Sequence, residues 1–271
     1  MDAFDMRVAI ITGGAGGIGM AMARAFAERG AKLVLADLDG EGLARSVDEL
    51  SQAGAQVLGV PTDVTQLDSV KALADAAVRR FGAAHIVCNN AGVATFGLMS
   101  DATHRDWEFT MSVNFWGVVH GVETFVPVLL EQGQGGHIVN TASMAGLVGM
   151  QWLGIYCASK FAVVGLSESL HRELKPRGIG VSVLCPMIVD TNINQNSVRM
   201  RPRELRNQGE EPLVPPAAEM KGGVIQPAEV ARRVVRAIER QDLYILTHPE
   251  QRGFLQKRAA KLDAMFDPAR W

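Results

Sequence analysis

A glycine-rich turn over residues 12–19 (TGGAGGIG) restricts the possible fold more than any other part of this sequence. It follows an apolar run, residues 7–12, that is typical of a buried strand, and it precedes a helical run over residues 20–29. In such a context glycines let the backbone approach a pyrophosphate, and the helix N-terminus offers N–H groups and a positive dipole. The alternative is a glycine-rich turn without a ligand. The residues predicted to contact a dinucleotide are Gly13, Gly16, Gly17, Ile18 and Gly19.

Short apolar runs alternate with helical runs through the rest of the chain. Further strands are predicted over residues 32–37, 56–60, 85–88, 136–143, 178–186 and 243–246. Helices are predicted over residues 41–53, 66–81, 103–132, 156–174 and 227–240, with an amphipathic helix over residues 249–266. The alternation predicts an α/β, Rossmann-type doubly wound fold with a parallel sheet of about seven strands and helices on both faces. The 271 residues are 48% hydrophobic, so we expect a single domain over residues 1–271.

Composition argues against several other classes of protein. The net charge of -2 and the lack of a long basic run argue against a nucleic-acid partner. No apolar stretch approaches the ~20 residues that span a bilayer, and the acidic start is not typical of a signal peptide. We therefore expect a cytoplasmic protein that binds no membrane. The three cysteines, Cys88, Cys157 and Cys185, lie in apolar contexts and indicate unpaired core thiols instead of a disulfide or a metal site.

Asp37 ends the second predicted strand and bears on the choice of cofactor. It follows the glycine turn by about 20 residues, where a dinucleotide fold places the carboxylate that accepts the ribose hydroxyls. Such a carboxylate repels the extra phosphate of NADP, and no arginine or lysine follows it closely in the sequence. We therefore predict NAD as the cofactor. The alternative is a solvated aspartate at a strand end.

Polar and small residues also follow the next predicted strands. Asp63 follows the third strand, where it either meets the adenine edge or caps the next helix. Asn90, Ala91 and Gly92 follow the fourth strand, at the end where these folds bind ligands. Asn114 is a single amide in an apolar helical stretch, and its low helix propensity indicates a kink, a water site or a polar role.

Tyr156 and Lys160 are four residues apart at the start of a helical run, so they lie on the same helix face. A free tyrosine titrates near ~10, and a neighbouring ammonium favours the phenolate and lowers that pKa. Ser143 precedes them at the end of the fifth strand and faces the same crevice. The three residues predict general acid–base chemistry. The alternative is that Tyr156 and Lys160 are two amphipathic residues on a helix surface.

Residues 187–226 interrupt the alternation of strands and helices. This segment contains several prolines and has apolar residues scattered among charges. A segment of such length in a compact domain usually has a function or moves, so we interpret it as a lid over the substrate. Its four arginines are interpreted as a solvated face instead of an anion site: Arg199, Arg201, Arg203 and Arg206.

The glycine turn, Asn90-Ala91-Gly92, Ser143 and Tyr156-x-x-x-Lys160 occur in this order at strand ends or just after them. In this combination the chain resembles the short-chain dehydrogenase/reductase family over nearly its whole length. The resemblance implies hydride transfer between C4 of a nicotinamide and a carbinol carbon. The implied catalytic tetrad is Asn114, Ser143, Tyr156 and Lys160. The implied cofactor contacts beyond the turn are Asp37, Leu38, Asp63, Val64, Asn90, Ala91, Gly92, Val113, Tyr156, Lys160, Pro186, Val189 and Thr191.

The resemblance also implies a role for each member of the tetrad. Tyr156 takes the hydroxyl proton of the alcohol, and Ser143 hydrogen-bonds the substrate oxygen. Lys160 lowers the pKa of Tyr156 and holds the nicotinamide ribose, while Asn114 holds a water that passes the proton onward. The chain departs from the family after the sixth strand, where Pro186 is followed by Met187 in place of the usual glycine.

The residues around the expected active site indicate an apolar substrate pocket. Its expected walls are Val93, Phe96, Leu98, Met99, Met144, Leu147, Val148, Met150, Trp152 and Leu153, although each is equally compatible with a core position. Such pockets accept bulky hydrophobic or aromatic alcohols. Residues 114–144 and 243–256 are similar to a family subgroup that includes bacterial dehydrogenases acting on the benzylic Cα alcohol of lignin-derived aryl ethers. We expect NAD-dependent oxidation of an aromatic or alicyclic secondary alcohol.

Two other functions are compatible with the same fold. One is reduction of a ketone or ketoacyl group, but carrier-linked reductases of the family usually prefer NADPH and show a basic residue in or near the glycine loop. The other is a non-catalytic NAD-sensing scaffold, which is expected to have lost the tyrosine or the lysine. Family members are commonly homo-tetramers or homo-dimers with the Tyr156 helix at one interface. Residues 161–166 are apolar enough for partner packing, although burial within one subunit would look the same.

Overall fold

A parallel β-sheet forms the centre of the protein in a computed structural model that describes residues 3–207 and 222–268. Within these residues the sheet has seven strands in the order β3-β2-β1-β4-β5-β6-β7, and all neighbouring pairs are parallel. The strands are β1 (Val8–Thr12), β2 (Lys32–Asp37), β3 (Val57–Pro61), β4 (Ile86–Asn89), β5 (Gly136–Thr141), β6 (Ile179–Cys185) and β7 (Tyr244–Leu246). The strand order reverses between β1 and β4, which is the switch point where such sheets bind ligands.

Helices connect the strands and cover the sheet. They are α1 (Gly17–Ala27), α2 (Gly40–Gln52), α3 (Leu67–Phe81), α4 (His104–Met111), α5 (Gly117–Gln132), α6 (Gly154–Leu174), α7 (Ile193–Arg199), α8 (Pro227–Arg240) and α9 (Arg252–Asp263). A π-helical segment, Ser112–Trp116, joins α4 to α5, so that His104–Gln132 is one continuous helix.

Each face of the sheet has its own hydrophobic core, because successive side chains of a strand point to opposite faces. Ile11 packs on the side of α1, α2 and α8, together with Phe26 and Val234. Ile10, its neighbour in β1, packs on the side of α3, α5 and α6, together with Phe125. Burial on both faces accounts for the nearly continuous apolar strands. The predicted doubly wound α/β architecture is confirmed.

Local signals in the sequence fix where several helices begin. The Thr103 side chain accepts a hydrogen bond from the Asp106 backbone, and the Asp106 carboxylate accepts one in return, which is a capping box for α4. The Asp39 carboxylate accepts a hydrogen bond from the Gly42 N–H and caps α2. Pro227 occupies the first turn of α8, where its missing N–H costs nothing. These caps are short-range features, so the helix positions were predictable.

One prediction about the second half of the chain extends beyond the described residues, and another needs correction. The short helix α7 lies inside the segment interpreted as a lid, and residues 208–221 of that segment fall outside the described residues. The amphipathic helix predicted over residues 249–266 is helical, but α9 has no buried residue and exposes Phe254 and Leu262. It therefore has no apolar face packed on the described core.

The helix His104–Gln132 corrects the expectation that no segment reaches membrane-spanning length. An 18-residue window within it has a mean hydropathy of 1.3, and a third of that window is buried. Core helices of ordinary domains pass the same test of length and composition. Here the helix packs against α3, α6 and β4 as part of the fold, and it is weak evidence for a membrane span.

Cys88, Cys157 and Cys185 are all buried and unpaired, as predicted. Burial raises the pKa of Cys157 and raises that of Cys185 to about 12, so these thiols remain protonated near neutral pH. They act as small core residues, and no cluster of possible metal ligands occurs among residues 3–207 and 222–268.

Candidate active site

A cavity of about 860 Å³ opens at the carboxyl ends of β1, β4, β5 and β6. Cavities of this size hold cofactors and drug-sized ligands. The predicted site residues that line it are Gly13, Gly16, Gly17, Ile18, Asp37, Leu38, Asp63, Val64, Asn90, Ala91, Gly92, Val113, Ser143, Tyr156, Lys160, Pro186, Val189 and Thr191. The other two, Gly19 and Asn114, are buried next to this wall.

The glycine turn has a shape that side chains would prevent. Gly17, at the start of α1, has φ +52°, in the left-handed region that favours glycine. A Cβ at Gly19 would lie 2.1 Å from the Gly13 carbonyl oxygen, so α1 can approach the turn this closely only with glycine there. A Cβ at Gly16 would meet nothing within 4 Å, since Gly16 faces the cavity. No side chain caps α1 among the described residues, so its first N–H groups fit a diphosphate.

Asp37 organises the end of the cavity beside β2. Its Oδ2 accepts a hydrogen bond from the Ala15 N–H at 2.9 Å, and its Oδ1 accepts one from the Asp39 N–H at 3.0 Å. Each carboxylate oxygen has a further lone pair for a ribose hydroxyl. Asp37 is therefore fixed between the glycine turn and the α2 cap, where a dinucleotide fold places its ribose-binding acid.

Two arginines that the sequence argument overlooked line the same end of the cavity. Arg199 from α7 forms an ion pair with Asp39 at 2.7 Å, and Arg45 from α2 lies 3.9 Å from Glu41. The hydrogen bond from Gly42 and then the Arg199 pair hold the pKa of Asp39 below its usual value. No arginine or lysine follows Asp37 closely in the sequence, but the fold places Arg45 and Arg199 on the wall of the same cavity. Both arginines nevertheless have acidic partners.

Thr12 and Asn90 join β1 to β4 at the switch point. The Thr12 hydroxyl accepts hydrogen bonds from the N–H groups of Asn90 and Ala91, at 2.9 and 3.0 Å. The Asn90 side chain donates to the Thr12 carbonyl at 3.0 Å and accepts from the Thr141 hydroxyl at 3.2 Å. Asn90, Ala91 and Gly92 therefore hold the central strand ends together and form part of the cavity wall, as predicted.

Asp63 does not cap α3, so that alternative is wrong. Its Oδ1 accepts hydrogen bonds from the N–H and the hydroxyl of Thr65, at 2.9 and 2.7 Å, which forms an Asx turn. The N-cap position of α3 is Gln66, which makes no capping hydrogen bond with its side chain. Asp63 and Val64 line the cavity, where the adenine-edge role remains a prediction.

Asn114 lies in the π-helical segment, which confirms the expected departure from regular helix. Its side chain is fully buried, and its Oδ1 accepts from the Val93 N–H at 2.8 Å. Its Nδ2 donates to the Val93 carbonyl at 2.9 Å and to the Ser159 hydroxyl at 3.2 Å. Asn114 thus ties the loop after β4 to α6. Both N–H groups of its amide are used by protein atoms.

Lys160 is buried below the cavity and is 3% exposed. Its Nζ donates to the Thr141 carbonyl at 2.9 Å and lies 5.6 Å from the centre of the Tyr156 ring. Burial lowers the pKa of Lys160 to about 8, because a desolvated ammonium is less stable than a hydrated one. Lys160 is therefore close to its titration point at ordinary pH.

Tyr156 and Ser143 meet on the cavity wall, as the helix spacing and strand end predicted. Burial raises the pKa of Tyr156 to about 12, and a hydrogen bond with Ser143 lowers it only in part. This direction is opposite to the one expected from Lys160, because the loss of hydration on burial has the largest effect on the phenol. The phenol is therefore the stable form of Tyr156 near neutral pH.

The arginines of residues 199–206 do not form one solvated face. Arg203 and Arg206 are exposed, in agreement with that interpretation. Arg201 is only 16% exposed in its side chain and pairs with the 11% exposed Asp106 at 2.7 Å. Burial opposes ionisation of Asp106, but hydrogen bonds from Thr103, Arg201 and Asn207 outweigh it and lower the pKa of this carboxyl. The interpretation is therefore wrong for Arg201, and Arg199 is held by Asp39.

The apolar residues expected to line a substrate pocket are distributed differently. Of the ten, only Val93 lines the 860 Å³ cavity. Met144 and Leu153 are core residues with 1% and 8% exposure, and Phe96 and Met150 pack against the same core cluster. Met99 is half exposed. Core packing thus accounts for several of these side chains, which was the alternative interpretation.

Sequence reasoning missed Asp39, Arg45 and Arg199 as residues of the cavity. Asp39 had a recognisable signal, since an aspartate just before a helical run is a typical N-cap. Arg199 had none, because its partner lies 160 residues away in the chain.

Comparisons with known proteins agree with this geometry. Residues 7–202 match the family model described as short chain dehydrogenase. The chain is 35% identical over 262 residues to a C alpha-dehydrogenase of Sphingobium sp. (strain NBRC 103272 / SYK-6), covering 95% of this chain and 85% of that protein.

Two solved structures extend the comparison. A short chain dehydrogenase/reductase from Burkholderia phymatum in complex with NAD has 43% sequence identity and a TM-score of 0.92, covering 99% of this chain and 98% of that one. The apo form of LigD from Sphingobium sp. strain SYK-6 has 31% identity and a TM-score of 0.82, covering 98% and 99%. With its Ser143, Tyr156 and Lys160 beside a glycine turn on a doubly wound sheet, this chain belongs to the short-chain dehydrogenase/reductase family of oxidoreductases.

Proposed function

We propose that this protein is an NAD-dependent dehydrogenase that oxidises a bulky hydrophobic secondary alcohol and also catalyses the reverse reduction. The observation that carries the proposal is the placement of Ser143, Tyr156 and Lys160 on the wall of the cavity that also contains the glycine turn and Asp37. A hydroxyl, a phenol and an amine thereby lie beside the position of a dinucleotide. This combination suits proton transfer coupled to hydride transfer.

The charges around Asp37 support NAD over NADP. Three carboxylates, those of Asp37, Asp39 and Glu41, stand against the guanidinium groups of Arg45 and Arg199. Because Arg199 is paired with Asp39 at 2.7 Å, part of its attraction for a 2′-phosphate is already offset, and Asp37 adds repulsion. The NAD complex of the similar Burkholderia phymatum protein supports the same choice.

The residues of the cavity have distinct roles in the proposed reaction. When bound, NAD supplies the hydride acceptor at C4 of its nicotinamide. Tyr156 takes the hydroxyl proton of the alcohol, and Ser143 donates a hydrogen bond to the substrate oxygen. The present hydrogen bond from Ser143 to the Pro186 carbonyl is long, at 3.3 Å, so the hydroxyl can turn toward a substrate. Lys160 stabilises the phenolate of Tyr156 and contacts the ribose.

The high pKa of Tyr156 gives the two directions of the reaction opposite pH dependence. Alcohol oxidation needs the phenolate, so its rate rises with pH toward the value of about 12. Ketone reduction needs the phenol, which is the predominant form at and below neutral pH. Tyr156 would ionise more readily beside the positive charge of a bound oxidised nicotinamide, which would extend the useful pH range for oxidation downward.

Asn114 supports the site through the loop that it holds. Its amide N–H groups are used by Val93 and Ser159, so they do not bind a relay water as well. We propose that any proton-relay water beside Lys160 contacts the backbone carbonyl of the π-helical segment. The side chain of Asn114 keeps that segment in place.

An aryl carbinol is the proposed class of substrate. The similarity to a C alpha-dehydrogenase over 95% of this chain supports it. The resemblance of residues 114–144 and 243–256 to aryl-ether Cα-dehydrogenases points in the same direction. An alicyclic alcohol is the second candidate within the same reaction.

Oligomeric state and location follow the family expectation. We propose a homo-dimer or homo-tetramer, supported by the exposed Trp116 on the long helix, which is 51% exposed in the single chain. The three unpaired thiols support a reducing, cytoplasmic location. Light scattering coupled to size-exclusion chromatography tests the first part, and a monomer at micromolar concentration would exclude it.

The test is NAD reduction across benzylic, aryl-ether, alicyclic, steroid and short aliphatic secondary alcohols. Tyr156→Phe should lower kcat by about 10²- to 10⁴-fold, the usual contribution of a general base. The chain has two tyrosines, so Tyr244→Phe is a matched control. It removes a hydroxyl that donates to Glu168 at 2.7 Å and should leave kcat unchanged. Turnover mainly with NADP, or full activity in Tyr156→Phe, would overturn the proposal.

A further inference from the structure

His248 is a buried histidine, 3% exposed, that follows β7 and connects two parts of the site. Its Nδ1 faces the Met187 N–H at 3.4 Å and the Thr247 hydroxyl at 2.6 Å. Its Nε2 faces the Gly223 carbonyl at 2.9 Å. Met187 and Gly223 lie near the two ends of the segment interpreted as a lid, so one imidazole ring bridges its base.

The partners of His248 determine its tautomer. The Met187 N–H can only donate, so Nδ1 must be an acceptor. The Gly223 carbonyl can only accept, so Nε2 must carry the hydrogen. The Thr247 hydroxyl then donates to Nδ1. A ring with hydrogen on Nε2 and none on Nδ1 fits these contacts, with the Nδ1 lone pair shared between the close Thr247 hydroxyl and the more distant Met187 N–H.

The contact on the Nδ1 side reaches Ser143 through one peptide unit. The N–H of Met187 and the carbonyl of Pro186 belong to the same planar peptide group. The Pro186 carbonyl accepts from the Ser143 hydroxyl at 3.3 Å and from the Met144 N–H at 2.9 Å. Rotation of this peptide would move the acceptor that orients Ser143. Met187 has no positive φ, so the position does not need the glycine usual in the family.

The contact on the Nε2 side holds the other end of the segment. The Gly223 N–H donates to the Glu250 carboxylate at 3.2 Å, while the Gly223 carbonyl accepts from His248. Next to it, the Ile225 N–H donates to the Ile188 carbonyl at 3.1 Å. The two ends of the segment therefore run side by side, and His248 fixes both to the end of β7.

We propose that His248 is a positioning residue for the reaction, acting through Ser143 on one side and through the backbone pairing beside Val189 on the other. This inference rests on the proposed function. The Nδ1 contact holds the Pro186–Met187 peptide and thereby the direction of the Ser143 hydroxyl, so it affects kcat. The Nε2 contact holds Gly223 and thereby the pairing of Ile225 with Ile188 next to Val189, a residue of the cavity wall, so it affects KM for a bulky alcohol.

Two substitutions separate the two contacts. In His248→Asn, the side-chain oxygen can take the place of Nδ1, but the amide is too short to reach Gly223. In His248→Gln, the amide N–H can take the place of Nε2–H, but no acceptor remains for Met187. We expect His248→Asn to raise KM severalfold with kcat nearly unchanged. We expect His248→Gln to lower kcat by about tenfold or more, since small misplacements of reacting groups have effects up to about 10²-fold.

An isotope effect and a control histidine distinguish positioning from stability. With alcohol deuterated at the carbinol carbon, the isotope effect on kcat should increase in His248→Gln, because hydride transfer becomes slower. His85 is a matched control at the opposite end of the sheet, since it is also buried and its Nδ1 accepts a hydrogen bond from the Val8 N–H at 3.0 Å. His85→Gln should lower Tm without changing kcat, KM or the isotope effect.

The outcomes also separate this inference from the proposed function. If the wild type oxidises no secondary alcohol with NAD, the proposed function fails. The ring ¹⁵N shifts of His248 still test the inference then, and a hydrogen on Nδ1 would overturn it. If the wild type is active, the inference about His248 would be overturned if both His248 variants kept the kinetic constants of the wild type and only their Tm fell. An effect of His248→Asn on kcat alone would do the same.

Discussion

Asp37 binds two backbone N–H groups, from Ala15 and Asp39, and it lines the end of the cavity beside β2. In a cleft, one carboxylate close to a phosphate is worth at least about 1 kcal/mol of repulsion. The arginines brought near it by the fold, Arg45 and Arg199, would attract the same phosphate. The preference for NAD therefore depends on whether Asp37 outweighs them.

Replacing Asp37 with alanine should shift the cofactor preference toward NADP. We expect the ratio of kcat/KM for NAD to kcat/KM for NADP to fall by about tenfold or more, the equivalent of about 1.4 kcal/mol. Steady-state kinetics with both cofactors measures this ratio. Glu41→Ala removes a 93% exposed carboxylate nearby and serves as the control, with little change expected. An unchanged ratio in Asp37→Ala would contradict our assignment of specificity.

Lys160 should make stability depend on pH in an unusual direction. Its pKa is about 8 in the folded protein and near 10.5 when unfolded, so between these values only the unfolded state holds the proton. The free energy of unfolding then rises with pH in this window, by up to about 1.4 kcal/mol per pH unit, and the stabilisation is lost as pH falls toward 8. Urea denaturation from pH 8 to 10 should show that the free energy of unfolding of the wild type increases relative to that of Lys160→Met. Lys175→Met changes an exposed lysine, and its free energy of unfolding should depend on pH in the same way as that of the wild type.

At the scale of secondary-structure elements, the segment after β6 is attached to the domain at separate points. Arg199 of α7 reaches the α2 cap, and the Ser197 hydroxyl accepts from the Ala94 N–H at 2.8 Å. Arg201 reaches Asp106 at the start of α4 and lies 5.2 Å above the Phe109 ring. These attachments hold α7 against the wall of the cavity.

The Arg201–Asp106 pair should dominate the stability of this attachment. Arg201→Met keeps the apolar stem but leaves Asp106 without its cation, and we expect a loss of about 3 kcal/mol, typical for one partner of a buried pair. Arg203→Met changes an exposed arginine two residues away and should alter stability by less than about 0.5 kcal/mol. Denaturation by urea provides both values. Similar small effects for the two variants would show that the pair contributes no more than a surface contact.

At the scale of the whole molecule, a bound dinucleotide would contact loops from every strand around the switch point. A ligand that binds only the folded state stabilises it, by about 2.7 kcal/mol at a hundredfold excess over Kd. For a domain of this size we expect NAD to raise Tm by about 5–10 °C at that excess. Differential scanning fluorimetry measures the shift, and NADP at equal concentration should give less. Equal shifts for the two cofactors would argue against discrimination by Asp37.

The sequence predicted most of the architecture because the relevant signals are local. Buried strands of a parallel sheet are continuous apolar runs, and helix caps lie within a few residues of the helix. The position of Ser143, Tyr156 and Lys160 on one cavity wall was also predictable, since Tyr156 and Lys160 share one helix face and Ser143 ends a strand. Features that depend on contacts between distant parts of the chain could not be predicted from the sequence. The Arg199–Asp39 pair joins residues 160 positions apart, and the pKa of Tyr156 depends on burial.

The bridge made by His248 has a consequence for the order in which this enzyme matures during synthesis. The N-terminal part of a chain leaves the ribosome first, so the glycine turn, Asp37 and the first strands emerge early. His248 is made after every other residue of the site described above. A growing chain can therefore form its dinucleotide-binding half while the peptide that orients Ser143 still lacks its support. Full redox activity would then require that β7 has joined the sheet, and turnover before that point would be slower.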